Sequence, residues 1–86
     1  MRVALTSDKG LELDLAYGNA YALLEALGMD AESVGEIPIT TLRKRLADPA
    51  TLPRAVSRHV EHYLPRLERL LASVPEEDQE TLVAWA

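Results

Sequence analysis

Leu11, Leu13 and Leu15 alternate with Glu12 and Asp14, the period of two expected of a half-buried strand. Val3 and Leu5 give the preceding segment the same apolar face, so strands are predicted over Arg2 to Ser7 and Leu11 to Ala16. Asp8-Lys9-Gly10 between them suits a short hairpin loop, with Gly10 free to take positive φ. The period then changes. Ala20, Leu23, Leu24 and Leu27 recur at i, i+3, i+4 and i+7, which predicts a helix capped by Asn19 and ended by Gly28. Asp30 to Ile39, punctuated by Gly35 and Pro38, reads as a loop. Thr40 is the expected cap of a short helix from Thr41 to Ala47, with Leu42 and Leu46 inward and Arg43, Lys44 and Arg45 outward; Asp48-Pro49 ends it.

Pro53 suits the first turn of a third helix. There Val56, Val60, Tyr63, Leu67, Leu70 and Val74 form an apolar stripe spaced alternately four and three apart. The phase runs through Pro65. It predicts one long helix kinked at that residue, or two collinear pieces, rather than a reversal of direction. Pro75 to Gln79 reads as a turn or short helical piece, followed by strand formers in Thr81 to Trp85. A third strand beside the hairpin is the favoured reading, because a lone hairpin is marginal in water. A helical C-terminus competes with it, since Pro75-Glu76-Glu77-Asp78 resembles an acidic first turn.

The expected fold class is therefore α+β. An N-terminal β-hairpin and a C-terminal strand form a small antiparallel sheet, packed against two or three helices with the longest kinked at Pro65. A chain of 86 residues with an apolar fraction of 48% makes one small globular domain, residues 1–86. Its core lacks Phe and has a single Trp, so leucine fills most of it. Absence of cysteine excludes disulfides and thiolate metal sites. The N-terminal segment turns polar too early for a signal peptide, and no apolar run is long enough to span a membrane, so the expected location is cytoplasmic and no membrane partner is expected.

The formal charge of −5 hides an asymmetry. Residues 40 to 73 carry Arg43, Lys44, Arg45, Arg54, Arg58, Arg66 and Arg69 against Asp48, Glu61 and Glu68, a net of +4 that leaves −9 to the remainder. On one continuous helical wheel Arg54, Arg58, His62, Arg66 and Arg69 share an arc of about 120° opposite the apolar stripe. With Arg43 and Arg45 they form the candidate contact surface. His59 and His62, with Glu61 nearby, lack the i, i+4 spacing of a zinc-binding H-E-x-x-H and any further His or Cys, so no metal is expected. Ser57 and His59 face different ways, no phosphate-cradling glycine loop or nucleophile elbow occurs, and Glu76-Glu77-Asp78 reads as a solvated helix start. No catalytic residue and no cofactor are expected. Tyr17, Asn19 and Tyr21 crowd the strand-to-helix junction, where capping and packing account for them.

The segments "LELDLA", "NAYALLEALG", "GEIP", "LRKRL" and "YLPRLERL", with the "VAWA" ending, resemble small bacterial and phage-associated proteins of unassigned function. The resemblance implies a small domain with a strand at each end and carries over no functional residue. The expected role is a non-catalytic interaction module, phage-related, that binds a protein partner or itself. A nucleic-acid binder using the basic helix face is the alternative, and acidic mimicry of nucleic acid by the remainder of the chain is a third.

Overall fold

A computed structural model describes residues 1–6, 12–75, 78 and 80–86. The predicted hairpin turn and most of the 75–79 segment lie outside them. Strands β1 (Arg2–Leu5) and β2 (Glu12–Asp14) pair antiparallel as expected, with Val3 opposite Leu13. The C-terminal segment is a strand, β4 (Leu82–Trp85), antiparallel to β1. Alternation does the sorting. Val3, Leu5, Val83 and Trp85 are buried on one face, while Arg2, Glu12 and Asp14 are exposed on the other.

The expected loop from Asp30 to Ile39 contains a fourth strand, β3 (Gly35–Pro38), on the far side of β4. The sheet order is β2-β1-β4-β3, all antiparallel. Three of its four residues hid this strand: Gly35, Glu36 and Pro38 are strand-poor, and Ile37 alone supplies an inward apolar side chain. Edge position makes them tolerable, and Gly35 is needed. A Cβ there would lie 2.5 Å from Cζ2 of Trp85, whose ring rests on the bare backbone. The indole N–H donates to Glu32 O at 3.0 Å, which ties the approach to β3 to the central strand.

Among the described residues four α-helices cover the inner face of the sheet. The first, α1 (Tyr17–Ala26), starts two residues before the predicted Asn19 cap; Ala16 occupies the cap and no side chain bonds there. Asn19 Nδ2 instead donates to the Tyr63 hydroxyl at 3.3 Å. The end of α1 follows expectation. Gly28 takes φ 76°, its N–H bonds Glu25 O and the Met29 N–H bonds Leu24 O, both at 2.9 Å, which is a Schellman motif. Helix α2 (Ile39–Ala47) begins at Ile39 after Pro38, so Thr40 lies inside the first turn and is not its cap.

The long kinked helix is not formed. Helix α3 (Thr51–Ser57) stops at Arg58, a 3₁₀ turn follows at Glu61–Tyr63, and α4 (Leu64–Ala72) carries the rest. Pro65 lies in the first turn of α4, where a missing N–H breaks no intrahelical bond. The break is at His59, with φ 59°. The His59 N–H bonds Val56 O at 3.1 Å and the Val60 N–H bonds Ala55 O at 2.9 Å, repeating the pattern at Gly28 with histidine in the glycine position. The left-handed residue turns the chain so that Val60 is fully buried while Val56 is 49% exposed. The stripe therefore holds from Val60 onward and excludes Val56.

The inner sheet face and the helices share one core, centred on leucines of α1 and α4 with Ile37, Ile39, Leu42, Val83 and Trp85. A small pocket of about 30 Å³ within it has an apolar lining that includes Leu23, Leu67 and Trp85. Among the described residues no helix is long and apolar enough to cross a membrane.

Two measurable consequences follow. His59→Gly relieves a left-handed conformation in a residue with a Cβ, and should raise stability by about 0.5–1 kcal/mol in urea titration at unchanged m-value. Asp78, at the entry to β4, accepts from the Thr81 hydroxyl at 2.7 Å, the Thr81 N–H at 3.1 Å and the Glu80 N–H at 3.0 Å. Those bonds, the Thr81 hydroxyl first, hold its carboxyl below the ordinary carboxylate range. Because the folded state favours the ionised form, its contribution is complete above about pH 4 and lost as pH falls further. The stability advantage of wild type over Asp78→Asn should therefore shrink as urea midpoints are followed downward from about pH 4.

Candidate interaction surface

The seven candidate residues divide among three helices and the 3₁₀ turn. Arg43 and Arg45 belong to α2, Arg54 to α3, Arg58 to its C-cap, His62 to the 3₁₀ turn, and Arg66 and Arg69 to α4. The single ridge drawn on one helical wheel therefore does not exist, because the left-handed turn at His59 separates its two halves.

Three arginines gather at the C-terminal end of α1. Arg54 Nε donates to Ala26 O at 2.8 Å, and Arg45 Nη1 donates to Gly28 O at 3.2 Å. Arg58 Nη1 meets the Glu25 carboxylate at 3.3 Å. The last carbonyls of a helix have no intrahelical partner and carry the negative end of its dipole, so guanidinium groups are well placed there. A Cβ at Gly28 would approach Arg45 Nη1 to 3.0 Å and Arg54 Nη2 to 3.5 Å, both ends of flexible side chains, so the φ of 76° is what calls for glycine. The Arg58–Glu25 pair is half exposed on both sides and contributes at most about 1 kcal/mol. Arg43 does for α4 what Arg45 and Arg54 do for α1, donating to Leu71 O at 3.3 Å and Val74 O at 3.5 Å.

His62, Arg66 and Arg69 lie elsewhere. The imidazole of His62 stacks obliquely on Tyr63 with centroids 4.2 Å apart, and Arg66 Cζ is 5.7 Å from the same ring. Arg66 and Arg69 rim a shallow depression with Glu12, Leu13 and Leu70, where α4 meets β2. Both arginines are exposed. They are the candidates whose guanidinium groups make neither a hydrogen bond nor an ion pair among the described residues, and they sit beside the edge strand β2. Sequence reasoning placed these side chains outward correctly but could not separate them from the capping arginines, since a carbonyl acceptor on another helix leaves no mark in local spacing.

Other chemistry is sparse. Among the described residues no group of three or more His, Cys, Asp or Glu could hold a metal ion. Glu61 Oε2, at the start of the 3₁₀ turn, is buried without a hydrogen-bond partner among the described residues. Tyr17 and Tyr21 pack with centroids 6.0 Å apart, and Tyr17 is 54% exposed. Among the described residues no helix covers the outer sheet face. Ala4, Leu82 and Ala84 are half-buried along its centre, with Glu12, Asp14, Glu36 and Arg2 around them; Arg2 pairs with Glu12 at 3.4 Å. The charge asymmetry of the sequence thus becomes an asymmetry between layers, acidic over the outer sheet and basic across α2 to α4.

This division of labour is measurable. Arg54→Ala strands the Ala26 carbonyl and should cost about 1 kcal/mol in urea unfolding, whereas Arg69→Ala should stay within about 0.5 kcal/mol of wild type. No protein-family model, no curated protein and no solved structure matches the chain, so the reading of this surface rests on its geometry.

Proposed function

We propose that the protein is a non-catalytic interaction module that binds a protein partner through the Arg66–Arg69 side of α4. One observation carries the reading. Arg43, Arg45 and Arg54 are committed to helix ends and Arg58 to Glu25, while Arg66 and Arg69 stand exposed beside β2. Exposed arginine next to a partly apolar depression is the composition that protein contacts favour. Leu13 and Leu70 supply the apolar floor, and Tyr63 holds Arg66 from below.

The nucleic-acid alternative draws on the same residues less well. Phosphate tracking needs several cations along one groove, and here the basic groups point to separate places with three spent on carbonyls. Self-association through the bare sheet face is opposed by Glu12, Asp14 and Glu36, which outnumber Arg2 there and would meet their own copies.

The reading is tested with the double variant Arg66→Glu, Arg69→Glu, both positions being exposed. A partner recovered from the source cell should co-elute stoichiometrically with wild type in size-exclusion chromatography and lose at least about tenfold in affinity for the variant. Equal affinity for both proteins would sink the assignment of this surface. A shift of duplex DNA at low salt, weakening steeply as salt rises and absent in the variant, would replace it with the nucleic-acid alternative.

A further inference from the structure

The two outer strands of the sheet are unlike as templates. Arg2 and Ala86 exchange both backbone hydrogen bonds, at 2.8 and 3.0 Å, so the Arg2 backbone faces β4. Met1 and Leu15 likewise exchange bonds, the Met1 nitrogen to Leu15 O at 2.7 Å and the Leu15 N–H to Met1 O at 2.8 Å. Antiparallel pairing alternates bonded and non-bonded pairs, so Val3–Leu13 is bonded and Arg2–Asp14 is not. The N–H and C=O groups of Glu12 and Asp14 therefore turn away from β1, toward the open edge. On the opposite edge the same alternation turns Glu36 and Pro38 outward, and proline has no N–H to offer. Among the described residues only β2 turns both donors and acceptors to its edge at each outward residue.

We propose that β2 accepts an extended segment of the partner as an added strand, with acidic side chains turned toward α4 and basic side chains toward the outer face. This deepens the contact assigned to Arg66 and Arg69 and rests on it. The chemistry follows from what flanks the edge. On the helical side an incoming residue beside Leu13 meets Arg66 and Arg69, and on the outer side its neighbours lie next to Glu12 and Asp14. An alternation of acid and base satisfies both faces at once, because successive side chains of a strand point to opposite sides. A second copy of the chain does not fit. Two β2 strands meeting edge to edge set acid directly against acid on the outer face in either antiparallel register.

The probe is an acetylated, amidated octapeptide alternating glutamate and lysine, compared with one of the same composition in two blocks. Both are neutral overall, so the comparison isolates strand patterning from net charge. Titrated into ¹⁵N-labelled protein, the alternating peptide should slow hydrogen exchange at the Glu12 and Asp14 amides, and the block peptide should bind at least about tenfold more weakly. Asp14→Pro removes an edge donor but no bond to β1, and should weaken binding at least about fivefold with an unchanged far-UV spectrum. Should that variant not fold, backbone N-methylation of the peptide at alternate residues makes the same test.

Binding without protection of Glu12 and Asp14, equal binding of the block peptide, or no response at about 1 mM would each overturn strand addition. The Arg66→Glu, Arg69→Glu protein separates the two levels. If it abolishes a response that lacks edge protection, the arginine contact stands and only the strand geometry fails. If it binds the alternating peptide as wild type does, the arginine contact fails with it.

Discussion

The Trp85 ring against the Gly35 backbone is the contact on which the remaining architecture depends. It joins the end of the chain to the start of β3, and Trp85 pairs on its other side with Val3 of β1. One side chain thus spans the middle of the inner sheet face. Its indole N–H, a donor that would be costly to bury unpaired, is satisfied by Glu32 O. The short strand β3 has little strength of its own. It is held because a glycine lets an aromatic ring cover it, and through Pro38 it leads directly into α2. The direction of α2 then places Leu42 in the core and Arg43 and Arg45 at the ends of two other helices.

Helix termination is the second theme. Gly28 and His59 perform the same act, a left-handed residue whose flanking N–H groups close the last turn. Arginines from neighbouring helices then reach carbonyls at the C-terminal ends of α1 and α4. In a small domain with short helices a large share of backbone groups lies at helix ends, so capping by distant side chains has weight that a longer helix would dilute. Much of the positive charge between residues 40 and 73 is accounted for in this way. Most arginines of the basic segment serve helix ends or Glu25, and the pair on α4, with Lys44, stays exposed.

How far the chain is legible depends on whether a feature is local. The hairpin strands, the Gly28 stop, the end of α2 at Asp48-Pro49 and the C-terminal strand were all readable, because alternation, glycine and proline act within a few residues. Asn19 was misassigned as a cap because a capping-competent residue beside a helical run looks the same when its partner is Tyr63, far along the chain. The unbroken register from Val56 to Val74 concealed the break at His59. Histidine enters the left-handed region less readily than glycine, and nothing local marks it as a stop. Pro65 drew attention because proline is conspicuous, yet it lies where proline costs least.

Composition and pattern by themselves determined the class of the protein: a small α+β domain with a leucine-rich core, a sheet polar on one face, and basic charge concentrated in its second half. They also determined the outward direction of most polar side chains, since burial of apolar surface decides that locally, but not the exposure of Val56. Only the tertiary structure decided that β3 is a strand, that the long helix is two, and that four of the arginines belong to carbonyls or a carboxylate of other helices. Two of these turn on a partner distant in sequence, Trp85 for Gly35 and the open carbonyls of α1 for Arg45 and Arg54, while the break at His59 accompanies the burial of Val60 beside it. Local patterning specifies what a segment can become, and the contact it finds in space selects among those outcomes.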